Sequence, residues 1–277
     1  MTFPVELAHI SNHLYRRARC WWTCSVVISV GALSLTLAGL WIATPGWIGL
    51  GGLFALAAPG AIAWARELAS VSLFRADKCR RLMLYADGLG HKVSAEDLAQ
   101  VKAWTLHSRV KEAPFVGPYY SSTKAPGAQR LADIVAESAF FTAQLASKAA
   151  VVLWVSFGLA LATAAISLYS ADLTSHVTQR VILLVAKSTA VLVSFLIAGD
   201  FLLIAKKYTG LQYEARQAFA RCAQLRNDTT VSVDEVRTVA EDYGVALLET
   251  PPIPRALYKF YRDELNRIYR TSHAGGD

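Results

Sequence analysis

The densest set of residues able to do chemistry is Tyr119, Tyr120, Ser121, Ser122, Lys124, Gln129 and Arg130. Tyrosine rings stack on flat heterocycles, and hydroxyls and turn amides donate to phosphate oxygens. A guanidinium forks onto two oxygens of one phosphate. Together these types suit a small molecule that carries both a base and a phosphate. The competing reading is a packed turn whose tyrosines cover neighbouring helices.

Two further ionisable residues, Lys187 and Asp200, stand inside an apolar stretch. Charges in such a place are functional candidates by default. They are 13 positions apart, roughly 20 Å along one helix, so they do not form a pair. Either each snorkels to the nearer surface, or they line a water-filled path when copies associate. His9 and His13 have the four-residue spacing of a helical metal pair, but no third ligand lies nearby in the sequence, so no metal is expected. Cys20, Cys24, Cys79 and Cys222 make neither a CxxC pair nor a zinc-like quartet. There is no Walker loop, GxGxxG, HExxH or GxSxG. The pairs Glu96/Asp97 and Glu241/Asp242 read as helix starts or solvated faces. The chain is therefore expected to be neither an enzyme nor a cofactor carrier.

The elements that position these residues follow from composition. Of 277 residues, 54% are hydrophobic and only 18% charged, with a mean hydropathy of +0.32. An ordinary soluble domain carries about 25% charged residues. Disorder, a collagen-like chain and a disulfide scaffold are excluded as well. Crossing a bilayer as a helix takes about 20 apolar residues. Four stretches qualify: 21–43, 47–65, 149–170 and 181–205. Trp21, Trp22, Trp41, Trp47 and Trp64 mark their ends, where indole favours the headgroup region. Thr44-Pro45-Gly46 is a tight turn, and 171–180 is a short polar connection. Arg16, Arg17 and Arg19 before the first stretch fit a signal anchor better than a cleaved peptide.

The expected fold is an all-α membrane protein with four transmembrane helices as two hairpins, bearing helical cytoplasmic extensions. Its divisions are an N-terminal arm (1–20), hairpin 1 (21–65), a first cytoplasmic helical region (66–148), hairpin 2 (149–205) and a second cytoplasmic region (206–277). The 28 Lys and Arg set the orientation. Three lie in the arm, twelve in 66–148, eleven in 206–277, one, Arg180, in a hairpin turn, and one, Lys187, inside the fourth stretch. Positive charge collects on the cytoplasmic side, which places both termini there. The surplus of basic over acidic residues, 28 against 21, is read as this bias rather than as a DNA or RNA footprint. Small residues at four-residue spacing, such as Gly51/Ala55/Pro59 and Gly158/Ala162, permit close helix approach in lipid. They serve packing within one chain or a seam between copies.

The two cytoplasmic regions look alike. Each continues its membrane helix, then offers Ser-x-x-acid, a capping signature, at Ser94 and at Ser232. The offset is 138 residues, near the spacing of the hairpins. A helix is expected from Ala128 to Lys148, running directly into the third span. The tail reads Pro251-Pro252-Ile253-Pro254, then a basic aromatic helix over 255–270 that either lies on anionic lipid or clamps other helices.

Three pieces carry a resemblance. They are Leu73-Phe74-Arg75-Ala76-Asp77 with Arg80-Arg81, then Pro118-Tyr119-Tyr120 with Gln129-Arg130 and Glu137-Ser138, and Ile253-Pro254 with Tyr258 and Arg262-Asp263-Glu264-Leu265-Asn266. With the two-hairpin layout, the chain resembles the SMODS-associating four-transmembrane effectors of bacterial antiphage (CBASS-type) systems. Pro-Tyr-Tyr, Ala-Gln-Arg and Ser-Ala-Phe-Phe depart from the family's Trp-Tyr-Pro and Cys-Gln-Arg…Asn…Trp-Asp pattern. The resemblance implies a homo-oligomeric effector in the bacterial inner membrane. It implies a cyclic oligonucleotide ligand, made by a partner nucleotidyltransferase, and disruption of the bilayer in abortive infection. The alternatives are a constitutive channel or transporter touching Lys187 and Asp200, and a membrane scaffold.

Overall fold

The computed structural model describes residues 3–42, 45–105, 120–173, 179–198 and 200–273. The described residues form helices joined by short turns and irregular segments, without a strand. Eight helices follow one another: α1 (Phe3–Ile42), α2 (Pro45–Leu89), α3 (Ala95–Ala103), α4 (Ala128–Leu173), α5 (Gln179–Ala198), α6 (Phe201–Leu225), α7 (Val233–Glu249) and α8 (Arg255–His273).

Local chemistry sets several of these limits. Pro45 opens α2, where its missing N–H costs nothing. Gly90 adopts φ +70°, and His91 N–H donates back to Tyr85 O at 3.4 Å. A left-handed residue here ends α2 without the Cβ penalty that other residues carry. Ser94 caps α3 by accepting from Asp97 N–H, and Ser232 forms a full capping box with Glu235 at the start of α7. Thr44, Pro118 and Tyr119 lie outside the described residues.

One expected element differs. The stretch 181–205 does not form a single helix: α5 ends at Ala198 and α6 begins at Phe201. Asp200 stands between them at φ +59°, and its carbonyl accepts from Ile204 N–H at 2.8 Å. A left-handed residue cannot continue a right-handed helix, and aspartate tolerates that conformation better than most residues.

The chain divides into two compact units. The first comprises Met1–Arg19, Ala69–Ala149 and Lys207–Asp277, and the second Cys20–Leu68 and Ala150–Lys206. Helices α1, α2, α4 and α6 each contribute residues to both.

The first unit has a dense apolar core that includes Leu7, Leu14, Met83, Leu131, Ile134, Val236 and Tyr243, all under 3% exposed. Its helices approach closely. A Cβ on Gly88 of α2 would lie 2.8 Å from Leu131 Cδ1 and 3.1 Å from Leu131 Cα in α4. The tail helix α8 clamps its neighbours by one face. Tyr269 meets Phe140 and Phe141 at 5.3 and 5.6 Å, and Lys148 lies over Tyr261 at 5.2 Å. The opposite face of α8 leaves Phe260 79% exposed.

The second unit keeps small side chains inside and large apolar ones outside. Ser25, Ser29, Ala58 and Ala65 are buried, whereas Leu53, Leu56, Leu159 and Ile166 are 63–82% exposed. Such a surface is too apolar for water and marks a membrane or partner contact. Among the described residues, α1 over Glu6–Gly39 and α4 over Ala128–Thr163 are long and apolar enough to cross a membrane. Only 11% and 22% of their most apolar windows are buried within the chain, which distinguishes them from soluble core helices.

Candidate functional site

Six of the seven residues of the expected ligand constellation are described, and they lie together before and at the start of α4. Tyr120 is buried. The polar groups of the other five face protein partners. Ser121 N–H and Oγ both donate to Glu137 Oε2, at 2.9 and 2.7 Å. Ser122 Oγ donates to Asp133 at 3.0 Å. Lys124 Nζ donates to Arg226 O at 2.9 Å and pairs with Asp133 at 3.2 Å. Gln129 donates to Asp228 O at 3.0 Å. Arg130 is engaged through all three nitrogens: Nε to Asp87 O (3.0 Å), Nη1 to Lys124 O (2.6 Å) and Nη2 to Asp87 Oδ1 (2.9 Å).

This geometry describes a fastener that joins the end of α2, the start of α4 and the chain after α6. Arg130→Met removes three charge-assisted donors and leaves Asp87 half-buried without its partner. The expected loss is about 2–3 kcal/mol, read as a lowered thermal midpoint of the detergent-solubilised chain. An unchanged midpoint would remove the fastener role.

A second constellation was not picked out as a site in the sequence. Asp77 of α2 is 1% exposed and Arg80, one turn on, 8% exposed. Arg80 Nε donates to Asp77 Oδ1 at 3.0 Å. Arg81 Nε pairs with Asp77 Oδ2 at 2.8 Å. Arg80 Nη2 also sits 3.0 Å from Asp77 Oδ1, but without the direction of a hydrogen bond, and neither Nη1 nor Nη2 has a hydrogen-bond partner among the described residues. The guanidinium lies over the Tyr243 ring at 5.4 Å. Burial by itself lowers the Arg80 pKa; Tyr15, Asp77, Tyr243 and Tyr120 outweigh that and raise it above the ordinary arginine value. A buried cation with unused donors costs free energy unless an acceptor arrives.

Arg80 and Asp77 line a cavity of about 280 Å³ within the first unit. Tyr15, Arg19, Ser138, Thr142 and Tyr258 share its wall. Tyr243, also on the wall, is held by its hydroxyl against Thr142 Oγ1 (2.6 Å) and Ser138 Oγ (3.2 Å) of α4. The wall thus combines forked cationic donors, hydroxyls and aromatic faces, the chemistry expected of the Tyr119–Arg130 segment. The legible signal was Asp-x-x-Arg-Arg on an otherwise apolar helix face, one acid within a turn of two bases.

In the second unit Asp200 pairs with Arg66 at 2.7 Å. Arg66 in turn lies 5.5 Å over the ring of Trp22, and Trp21 meets Trp64 edge-on at 5.4 Å. Lys187 is exposed on α5. The partner of Asp200 was missed because it is 134 residues away, although both residues lie at ends of apolar stretches beside the basic segments. Among the remaining candidates, Arg16 lies 3.2 Å from His13 Nδ1. Cys79 and Cys222 are buried, and burial pushes both thiols up to about 12. They are protonated and inert at neutral pH.

No family model matches the sequence, and no curated protein or solved structure matches it either.

Proposed function

We propose that the chain is a membrane effector of a bacterial antiphage signalling system, gated by a cyclic oligonucleotide and acting by breaking the inner-membrane barrier. In this reading residues 21–65 and 149–205 cross the bilayer four times. The termini and residues 66–148 face the cytoplasm, and copies associate. A partner nucleotidyltransferase supplies the ligand. One observation carries the reading: the same four helices feed a unit with an apolar exterior and a unit with an arginine-lined cavity. A ligand shifts such an equilibrium only if it binds one state better than the other, and continuous helices give the cavity a physical route to the lipid-facing residues.

The test is induced expression with a membrane-potential dye, with and without the co-expressed synthase. Depolarisation only with the synthase supports the effector. Depolarisation without any nucleotide replaces it with a constitutive channel, and no depolarisation under either condition replaces it with a scaffold. Within this reading the Arg66–Asp200 pair helps hold the resting state. A part-exposed ion pair contributes up to about 1 kcal/mol, roughly fivefold in population. Asp200→Ala is therefore expected to raise resting leak about fivefold while ligand affinity stays unchanged. Equal leak would return Asp200 to a purely local role.

A further inference from the structure

The Arg80 cavity carries a charge balance that selects a ligand class. Its wall holds two cations, Arg19 and Arg80, and one carboxylate, Asp77. Arg81 adds a second cation to Asp77 from outside the wall at 2.8 Å, so the carboxylate is more than matched. What remains is an excess of positive charge around Arg80, which is 8% exposed and whose Nη1 and Nη2 make no hydrogen bond among the described residues.

We infer that this cavity binds a phosphodiester, recognised by the charge of Arg80. A phosphodiester carries one negative charge, which suits the net positive charge of the wall. Its two non-bridging oxygens match the fork of a guanidinium. The rings of Tyr15 and Tyr258 offer flat apolar faces for the attached sugar, base or glycerol. At about 280 Å³ the volume lies just below the range of ligand pockets, roughly 300–1,000 Å³. It admits a phosphate and one attached unit, so only part of a larger molecule enters.

Two sources supply this chemistry: a cyclic oligonucleotide and the headgroup of an anionic phospholipid. Arg19, two residues before the tryptophan pair Trp21-Trp22, stands where a headgroup would lie. The inference rests on the proposed function only for the soluble source.

The full-length chain in dodecyl maltoside micelles is titrated with cyclic di-AMP and cyclic GMP–AMP, with succinate as a dicarboxylate control. Native mass spectrometry follows retained phosphatidylglycerol. Arg80→Lys keeps the charge beside Asp77 and loses the fork. It is expected to weaken phosphodiester binding at least tenfold, whereas Arg237→Gln, at an exposed position of α7 away from the cavity wall, leaves binding unchanged. Arg19→Gln, which spares the Asp77–Arg80 pair, is expected to weaken binding about fivefold and serves if Arg80→Lys does not fold.

Nucleotide binding that depends on these arginines supports the soluble source. Arginine-dependent retention of phosphatidylglycerol alone supports the phosphodiester site and assigns it to lipid. Binding of succinate alone, no saturable binding of either phosphodiester, or unaltered affinity in the folded variants overturns the inference. Cells that depolarise on synthase expression while Arg80→Lys binds normally would keep the proposed function and lose this site. Arginine-dependent binding without any depolarisation would keep the site and lose the proposed function.

Discussion

Replacing Asp77 by asparagine is expected to destabilise the chain by about 3–5 kcal/mol, the range for removing one partner of a buried ion pair. Asp77 is 1% exposed and faces two guanidinium groups, Arg80 at 3.0 Å and Arg81 at 2.8 Å. Arginine does not deprotonate in proteins, so Arg80 cannot escape the loss by becoming neutral. It would remain charged, buried and unmatched. Arg81 is less affected, because its side chain is 35% exposed and reaches water. The second half of the prediction is a rescue. Asp77→Leu combined with Arg80→Met replaces the pair by apolar groups of similar volume, and such replacements are close to neutral. The double variant should regain most of what either single variant loses. Thermal unfolding of the four proteins in detergent gives the cycle, with a coupling of at least about 2 kcal/mol expected. Additive losses would mean that Asp77 and Arg80 act independently and that the observed geometry does not govern stability.

Gly88→Val is the second large effect, with an expected loss of about 2–3 kcal/mol from overpacking. The added Cβ would meet Leu131 Cδ1 at 2.8 Å and Leu131 Cα and Cβ at 3.1 Å. The clash with Cδ1 can be relieved by a rotamer change. The clash with Cα is with the backbone of α4, and relieving it requires α2 and α4 to move apart. That movement would strain the hydrogen bond from Gly127 N–H to Gly88 O at 2.8 Å. Trimming Leu131 to alanine therefore does not restore the variant, since its Cα and Cβ atoms remain. Gly210→Ala in α6 is the internal control. A Cβ there meets nothing within 4 Å among the described residues, so helix propensity operates and the change should stabilise by about 0.5–1 kcal/mol. Equal effects at the two glycines would contradict close packing at Gly88.

What was legible in the chain follows the range of the forces involved. Ser94 and Ser232 announce α3 and α7 because capping is decided within four residues. The long apolar runs and the helix from Ala128 are visible for the same reason: periodicity and hydropathy are local sums. The interruption at Asp200 is not visible, because averaged hydropathy does not register one left-handed residue. Polar constellations are harder still. The segment Tyr120 to Arg130 does gather in space, yet residue types do not say whether a guanidinium meets a ligand or Asp87, 43 positions upstream. The cavity escapes for a related reason. Its Asp77–Arg80 half is a one-turn pattern, but Tyr243 reaches Ser138 and Thr142 across 105 and 101 positions, and burial arises only from that long-range packing.

The discontinuity between α5 and α6 has a mechanical corollary. The mutual angle of the two helices is set at Asp200, which stands between the end of α5 at Ala198 and the start of α6 at Phe201. The torsions of Asp200, already in an unusual basin, act as a swivel, and the clasp of its carboxylate by Arg66 is the pin. Glycine at this position would turn more freely but could hold no pin, whereas an ordinary helix former would lock the joint straight.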